Sequence, residues 1–202
     1  MLTKLKQKVQ QLLSTEATAA HKVGLTPNSV TVFGFILSFL AASVYALVTT
    51  YSRSYLLLIA VILLMASGFC DTLDGILART YNQASAFGGF LDSLLDRYAD
   101  AFMFAGTIVS GACNLFVGLA ALASSLMVSY SRARAEAAGI KMESIGIAER
   151  PERIILLAAS SLAAIIWFPA LNIGVLIIAV LATVTVIQRG LHVHKSLRGR
   201  SV

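Results

Sequence analysis

Four aspartates, Asp71, Asp74, Asp92 and Asp96, stand in sequence that is otherwise apolar enough for a bilayer. At the centre of a membrane an ionised carboxylate costs roughly 2.5 to 3.5 kcal/mol, so four uncompensated ones threaten any fold that buries them. On helices, the three-residue step from Asp71 to Asp74 and the four-residue step from Asp92 to Asp96 each put both acids on one face. Two adjacent helices can therefore bring two acidic faces together, and something cationic must offset them.

Composition supplies the membrane. Over 202 residues the chain is 57% hydrophobic and only 13% charged, with a mean hydropathy of +0.80, which is far too apolar for a soluble domain of this length. The net charge of +6 does not indicate nucleic acid, because the basic residues lie between and beyond the apolar runs rather than on one polar surface. Cys70 and Cys113 lie in apolar sequence without the spacing of a zinc site or disulfide framework and read as small buried residues. Lys4, Lys6 and Lys8 are followed by polar residues instead of an apolar signal core, so no cleaved secretory signal is expected.

The expected fold is an all-α integral membrane protein with six transmembrane helices and an N-terminal amphipathic juxtamembrane helix. Leu2, Leu5, Val9, Leu12 and Leu13 recur at helical spacing among lysines and glutamines, which places residues 1–24 in the interface. Pro27 then breaks and restarts the helix. Spans follow from about Ser29 to Thr49, Tyr55 to Arg79, Ala84 to Ser110, Asn114 to Ala138, Arg150 to Phe168 and Ala170 to Arg189, each near the roughly 20 residues that cross a bilayer. The six-helix domain is expected over residues 25–195, with a basic tail at 196–202. An even number of spans puts both termini on one side. That side collects Lys22, Arg79, Arg132, Arg134, Lys141, Arg150, Arg153, Arg189 and the terminal lysines and arginines, whereas Arg53 alone lies opposite. The termini are therefore expected to be cytosolic in a multi-pass protein of the cell membrane. All four acids fall in the cytosolic half, where a lipid headgroup can meet a water-soluble reactant.

Four hard oxygen donors without His or Cys nearby suit Mg²⁺, with Mn²⁺ as a substitute, and four negative charges match two such ions. A two-metal site favours displacement at phosphorus. Gly75 and Gly88 leave helix surface bare for close approach of a nucleotide or pyrophosphate, and Arg79 lies one turn beyond Gly75 to neutralise phosphate. Two other readings of the acids are open at this point: pairing with Arg79 and Arg97, or a cation path through a transporter. A transporter path should cross the whole membrane, whereas these acids occupy half of it.

The pattern Asp71-x2-Asp74-Gly75-x2-Ala78-Arg79-x8-Gly88-x3-Asp92-x3-Asp96 resembles, at every fixed position, the signature of the CDP-alcohol phosphotransferase family. The resemblance implies a six-helix membrane enzyme, a homodimer, in which an alcohol displaces CMP from a CDP-activated lipid. It implies that Asp71, Asp74 and Asp92 bind metal and that Asp96 binds the second metal and serves as general base. It also places the CDP-lipid against Asn28, Ser29, Val30, Thr31, Gly75, Arg79 and Ser85.

The acceptor is read from other residues. Arg132, Arg153 and Arg189 come from three spans at one membrane level, and convergent guanidinium groups suit a phosphate on the acceptor. The runs Ser129 to Ala137 and Glu149-Arg150-Pro151-Glu152-Arg153 resemble the phosphatidylinositol phosphate and archaetidylinositol phosphate synthases. Within that branch the three arginines line an inositol-phosphate pocket, the first being commonly lysine. The expected reaction joins myo-inositol phosphate to CDP-archaeol or CDP-diacylglycerol, with glycerol 3-phosphate as the rival acceptor. Arg134 and Arg150 are expected to serve helix ends or to pair with Glu136, Glu149 and Glu152. Asp100, one turn past Asp96, is expected to pair or support. His21, His192 and His194 are expected to be solvated, and Trp167 to anchor at the interface.

Overall fold

The computed structural model describes residues 14–49, 53–142 and 145–198, and every regular element among them is a helix. The helices are α1 (Ser14–Lys22), α2 (Pro27–Ala46), α3 (Arg53–Thr80), α4 (Ala86–Val109), α5 (Leu115–Ala137), α6 (Arg150–Ile166) and α7 (Pro169–Arg198). The apolar residues of the expected N-terminal amphipathic helix, Leu2 to Leu13, lie outside the described residues, as do 199–202 of the expected tail.

Local chemistry sets the boundaries. Pro27 opens α2, and Thr26 and Ser29 form a reciprocal capping box, each side chain accepting the other's backbone N–H. Ser85 caps α4 by accepting from Gly88 N at 3.0 Å. Asn114 caps α5 while its own N–H donates to Asn172 of α7 at 2.8 Å. Left-handed Asn82 and Gly139 turn the chain after α3 and α5. The last apolar run was expected to end at Arg189 but continues as helix through Arg198, because the run Leu191 to Arg198 contains no proline or glycine to break it.

Packing links α2 with α3 and α4, α5 with α4 and α7, and α6 with α3 and α7. The core is built from small and branched side chains such as Ala41, Ala42, Leu57, Ala60, Ala121 and Val175. At the α2–α4 crossing, a Cβ on Gly106 would collide with the Ala42 carbonyl oxygen, so only glycine permits that approach. The Tyr45 hydroxyl shares a 2.6 Å hydrogen bond with Ser161 Oγ, joining α2 to α6 through the core.

Large apolar side chains lie outside. Phe33, Ile36, Phe39 and Leu40 on α2, Leu58, Ile62 and Met65 on α3, and Ile173, Leu176 and Val180 on α7 are all exposed. Water does not tolerate apolar surface on this scale without a partner, but lipid does. Four helices, α2, Ser54–Thr80 of α3, α5 and α7, are long and apolar enough to cross a membrane. The two others expected to do so differ for local reasons. α4 carries Asp92, Asp96, Arg97 and Asp100, while α6 has 17 residues and begins with Arg150, Glu152 and Arg153.

α1 lies against α3, where Ala17 and Ala20 pack with Leu73, Ile76 and Leu77. His21, expected to be solvated, instead stacks on Tyr81 with ring centroids 3.7 Å apart. Cys70 and Cys113 are buried free thiols, as their apolar surroundings suggest.

Candidate active site and metal centre

The acidic faces of α3 and α4 meet. Asp71, Asp92 and Asp96 each place a carboxylate oxygen within 4.8 Å of the others. Ligands of one Mg²⁺ at about 2.1 Å stand about 3 Å apart when adjacent and about 4.2 Å apart when opposite, so these three oxygens come within reach of one ion once their side chains draw inward. Asp92 Oδ1 is buried without a hydrogen-bond partner, the condition of a ligand atom reserved for something else. The donor set and the orphaned oxygen both fit a divalent metal.

Asp74 stands apart from that trio. It is buried, and its Oδ2 accepts a 2.6 Å hydrogen bond from the Thr31 hydroxyl, which binds α2 to α3. Thr31, expected to touch the CDP-lipid, thus also orients a carboxylate. Asp74 nevertheless faces the same open groove, of about 580 Å³, as Asn28, Gly75, Arg79, Ser85, Gly88 and Asp92. The groove exists because the two glycines lack side chains. A Cβ on Gly88 would lie 2.8 Å from Asn28 Oδ1 and 3.0 Å from Ser85 Oγ, and one on Gly75 would lie 3.2 Å from the Arg79 guanidinium folded over it.

Two residues expected in the nucleotide contact are engaged elsewhere. Ser29 uses its hydroxyl in the capping box and also donates to Thr26 O at 2.8 Å. Val30 is buried among Cys70, Leu73 and Leu77. Helical geometry is the reason: in the run Asn28 to Thr31, successive residues point about 100° apart, so only Asn28 and Thr31 share the groove side.

The basic residues depart most from expectation. Arg150, expected at a helix end or on a glutamate, reaches into the acids, its Nη1 lying 2.8 Å from Asp71 Oδ1 and 2.9 Å from Asp96 Oδ1. Asp100 pairs with Arg153 Nη2 at 2.6 Å and lies 3.5 Å from Arg150 Nε. Arg97, considered as a pairing partner for the acids, turns back to the Ser93 carbonyl of its own helix. A signal for this was present in the sequence. Arg150 and Arg153 are three residues apart, as Asp96 and Asp100 are four apart, so a basic face of α6 could have been matched to the acidic face of α4.

Arg153 and Arg189 are 4% and 2% exposed. Arg189 Nε donates to Ile145 O at 2.8 Å, its Nη1 to Val128 O, and its Nη2 meets Glu149 at 3.2 Å. Arg132 does not join them by contact. Its side chain is 44% exposed and pairs at 2.9 Å with Glu136, one turn along α5, although Arg132 and Arg153 both act electrostatically on Arg189. Thr185, missed in the sequence, holds the connecting loop to α7 by accepting from Ile147 N and Ala148 N at 3.3 and 3.0 Å.

A helical protein with a lipid-facing exterior and a hard-oxygen cluster beside a glycine-floored, arginine-lined groove is built for metal-dependent chemistry on a phosphorylated lipid. The chain belongs to the CDP-alcohol phosphatidyltransferase family, whose model matches residues 24–187, and it is an enzyme of that class, a CDP-alcohol phosphotransferase. It is 42% identical over 197 residues to the archaetidylinositol phosphate synthase of Pyrococcus horikoshii, covering 98% of each chain. The corresponding synthase of Methanothermobacter thermautotrophicus is 42% identical over 89% of this chain and 88% of its own. The fold is similar to Mycobacterium tuberculosis phosphatidylinositol phosphate synthase with CDP-DAG bound, with a TM-score of 0.77 and 30% identity over 91% of this chain and 94% of that one. The same enzyme in complex with manganese and citrate also gives a TM-score of 0.77 at 30% identity, over 89% and 88% of the two chains.

Proposed function

We propose that this enzyme transfers the phospholipid moiety of CDP-archaeol or CDP-diacylglycerol to myo-inositol phosphate and releases CMP. The observation that carries the proposal is the convergence of Asp71, Asp92 and Asp96 beside a groove floored by Gly75 and Gly88. Each of the two relatives described above at 42% identity is an archaetidylinositol phosphate synthase, which supports both the acceptor and the archaeol tail.

Asp71, Asp74, Asp92 and Asp96 would hold two Mg²⁺ ions, with Mn²⁺ as a substitute, and the ions when bound would supply positive charge to the phosphoryl oxygens. Asn28, Thr31, Gly75, Arg79 and Ser85 seat the CDP group, the guanidinium of Arg79 meeting phosphate. The acceptor hydroxyl oxygen bonds to the lipid-bearing phosphorus, the bond from that phosphorus to the bridging oxygen breaks, and CMP leaves with the electron pair. The hydroxyl proton passes to Asp96. Arg153 and Arg189, with the field of Arg132, attract the acceptor's own phosphate. The domain is residues 25–195, crossing the membrane six times with termini and site cytosolic, and the enzyme works as a homodimer.

Purified protein with Mg²⁺ is expected to release CMP from either CDP-lipid only when inositol phosphate is present, and chelation is expected to stop it. Turnover with glycerol 3-phosphate and none with inositol phosphate rejects the acceptor assignment. Running both CDP-lipids side by side identifies the tail.

A further inference from the structure

The guanidinium of Arg150 stands where a cation belongs. Its Nη1 bridges Asp71 Oδ1 and Asp96 Oδ1 at 2.8 and 2.9 Å, two of the three carboxylates that converge. Neither contact has the alignment of a hydrogen bond, so Arg150 acts there as a charge among charges. Its Nε is already 3.5 Å from Asp100 Oδ1, and the other Asp100 oxygen accepts from Arg153 at 2.6 Å. Asp100 thus offers Arg150 a second partner one turn along α4 from Asp96.

We propose that Arg150 is the resident counter-ion of the metal centre, held between Asp71 and Asp96 until a divalent cation displaces it and retained thereafter by Asp100. This rests on the reading of Asp71, Asp92 and Asp96 as metal ligands. A guanidinium and a metal ion cannot share that space, and once ions neutralise the acids Arg150 has no partner among them. A buried guanidinium left unpaired is strongly destabilising. Asp100 prevents that outcome, and because it is then divided between Arg150 and Arg153, one positive charge on α6 is left over. That surplus has the sign an anionic acceptor requires, so metal loading also prepares Arg153 for phosphate.

The test is Mn²⁺ binding to the detergent-solubilised full chain, without substrate or turnover, read from the EPR signal of free Mn²⁺. Arg150→Gln is expected to bind Mn²⁺ about fivefold more tightly, within the usual range of coupling between sites. Asp100→Asn is expected to bind more weakly by a similar factor, because Arg150 then has only the metal ligands for partners. The double variant should match Arg150→Gln, since Asp100 acts on the metal through Arg150. Metal-free Arg150→Gln should also melt at a lower temperature than the parent, and saturating Mn²⁺ should close the gap. Should Arg150→Gln fail to fold, Asp100→Asn alone decides: weaker binding supports the assignment, and equal or tighter binding overturns it. Saturable binding by the parent that Arg150→Gln leaves unchanged or weakens defeats this inference alone. Absence of saturable Mn²⁺ binding in the parent defeats the metal centre itself, and this inference with it.

Discussion

Asp96 carries more of the proposed chemistry than any other side chain, and its surroundings explain how. It lies on the α4 face that meets Asp71, with Arg150 Nη1 2.9 Å from its Oδ1, so its charge is offset whether or not metal is bound. Asp96→Asn keeps the shape and removes both the proton acceptor and a ligand charge. Turnover is expected to fall by at least about 10²-fold, the scale of general-base loss, while CDP-lipid binding, which rests on a groove that Asp96 does not line, stays measurable. A variant with parental turnover sinks the assignment of Asp96 as base. Asp74 presents a contrast at the same scale. Its hydrogen bond from Thr31 fixes one oxygen, and its place on the groove wall makes it, of the four proposed ligands, the one nearest the proposed nucleotide contact.

Among the elements, α4 decides whether the site exists. Its N-cap and first turn supply Ser85 and Gly88 to the groove, its second and third turns supply Asp92 and Asp96, and Asp100 follows one turn further along. Its far end is fixed where Gly106 meets the Ala42 backbone. The obstacle there is a carbonyl oxygen in helix α2, which cannot swing aside as a side chain can. Gly106→Ala is therefore expected to push α4 away from α2 and to destabilise the fold by about 1–3 kcal/mol, as overpacking does. Thermal melting in detergent measures this, and an unchanged midpoint shows that the crossing is looser than its geometry. The same displacement shifts Asp92 and Asp96 relative to Asp71, so metal affinity should fall together with stability.

For the whole molecule, orientation is what joins site to biology. The site lies where α3 ends, α4 begins, α5 ends and α6 begins, the end that also holds α1 and the turn at Gly24. Positive charge concentrates at that end, and the rule that governs loop charge makes it the side we propose as cytosolic. The two native thiols are buried, so single introduced cysteines can report it. Val23 is 78% exposed and Trp167 is 57% exposed, at opposite ends of the bundle. A membrane-impermeant maleimide is expected to label Trp167→Cys in intact cells and Val23→Cys only after permeabilisation. The reverse pattern overturns the orientation.

The all-helical character of the described segments, the helical spacing of the acids and the reaction class were legible in the amino-acid sequence. Helical periodicity and apolar length act within one segment, so Asp71 with Asp74 and Asp92 with Asp96 can be placed without knowing the partner helix. The family signature lies within 26 residues, Asp71 to Asp96, for the same reason. Only the tertiary structure decided that Asp71, Asp92 and Asp96 converge while Asp74 turns to Thr31. It also decided that Arg132 stays on its own helix beside Glu136, whereas Arg150 crosses to the acids. A long guanidinium can reach several carboxylates, and which one it meets depends on how α6 lies across α3 and α4. Packing far from the charge holds both helices on α2, α6 through the Tyr45–Ser161 hydrogen bond and α4 through the seat of Gly106 on the Ala42 backbone. The four aspartates thus announced that a cation was needed, and the packing of α6 supplied the first one from within the chain.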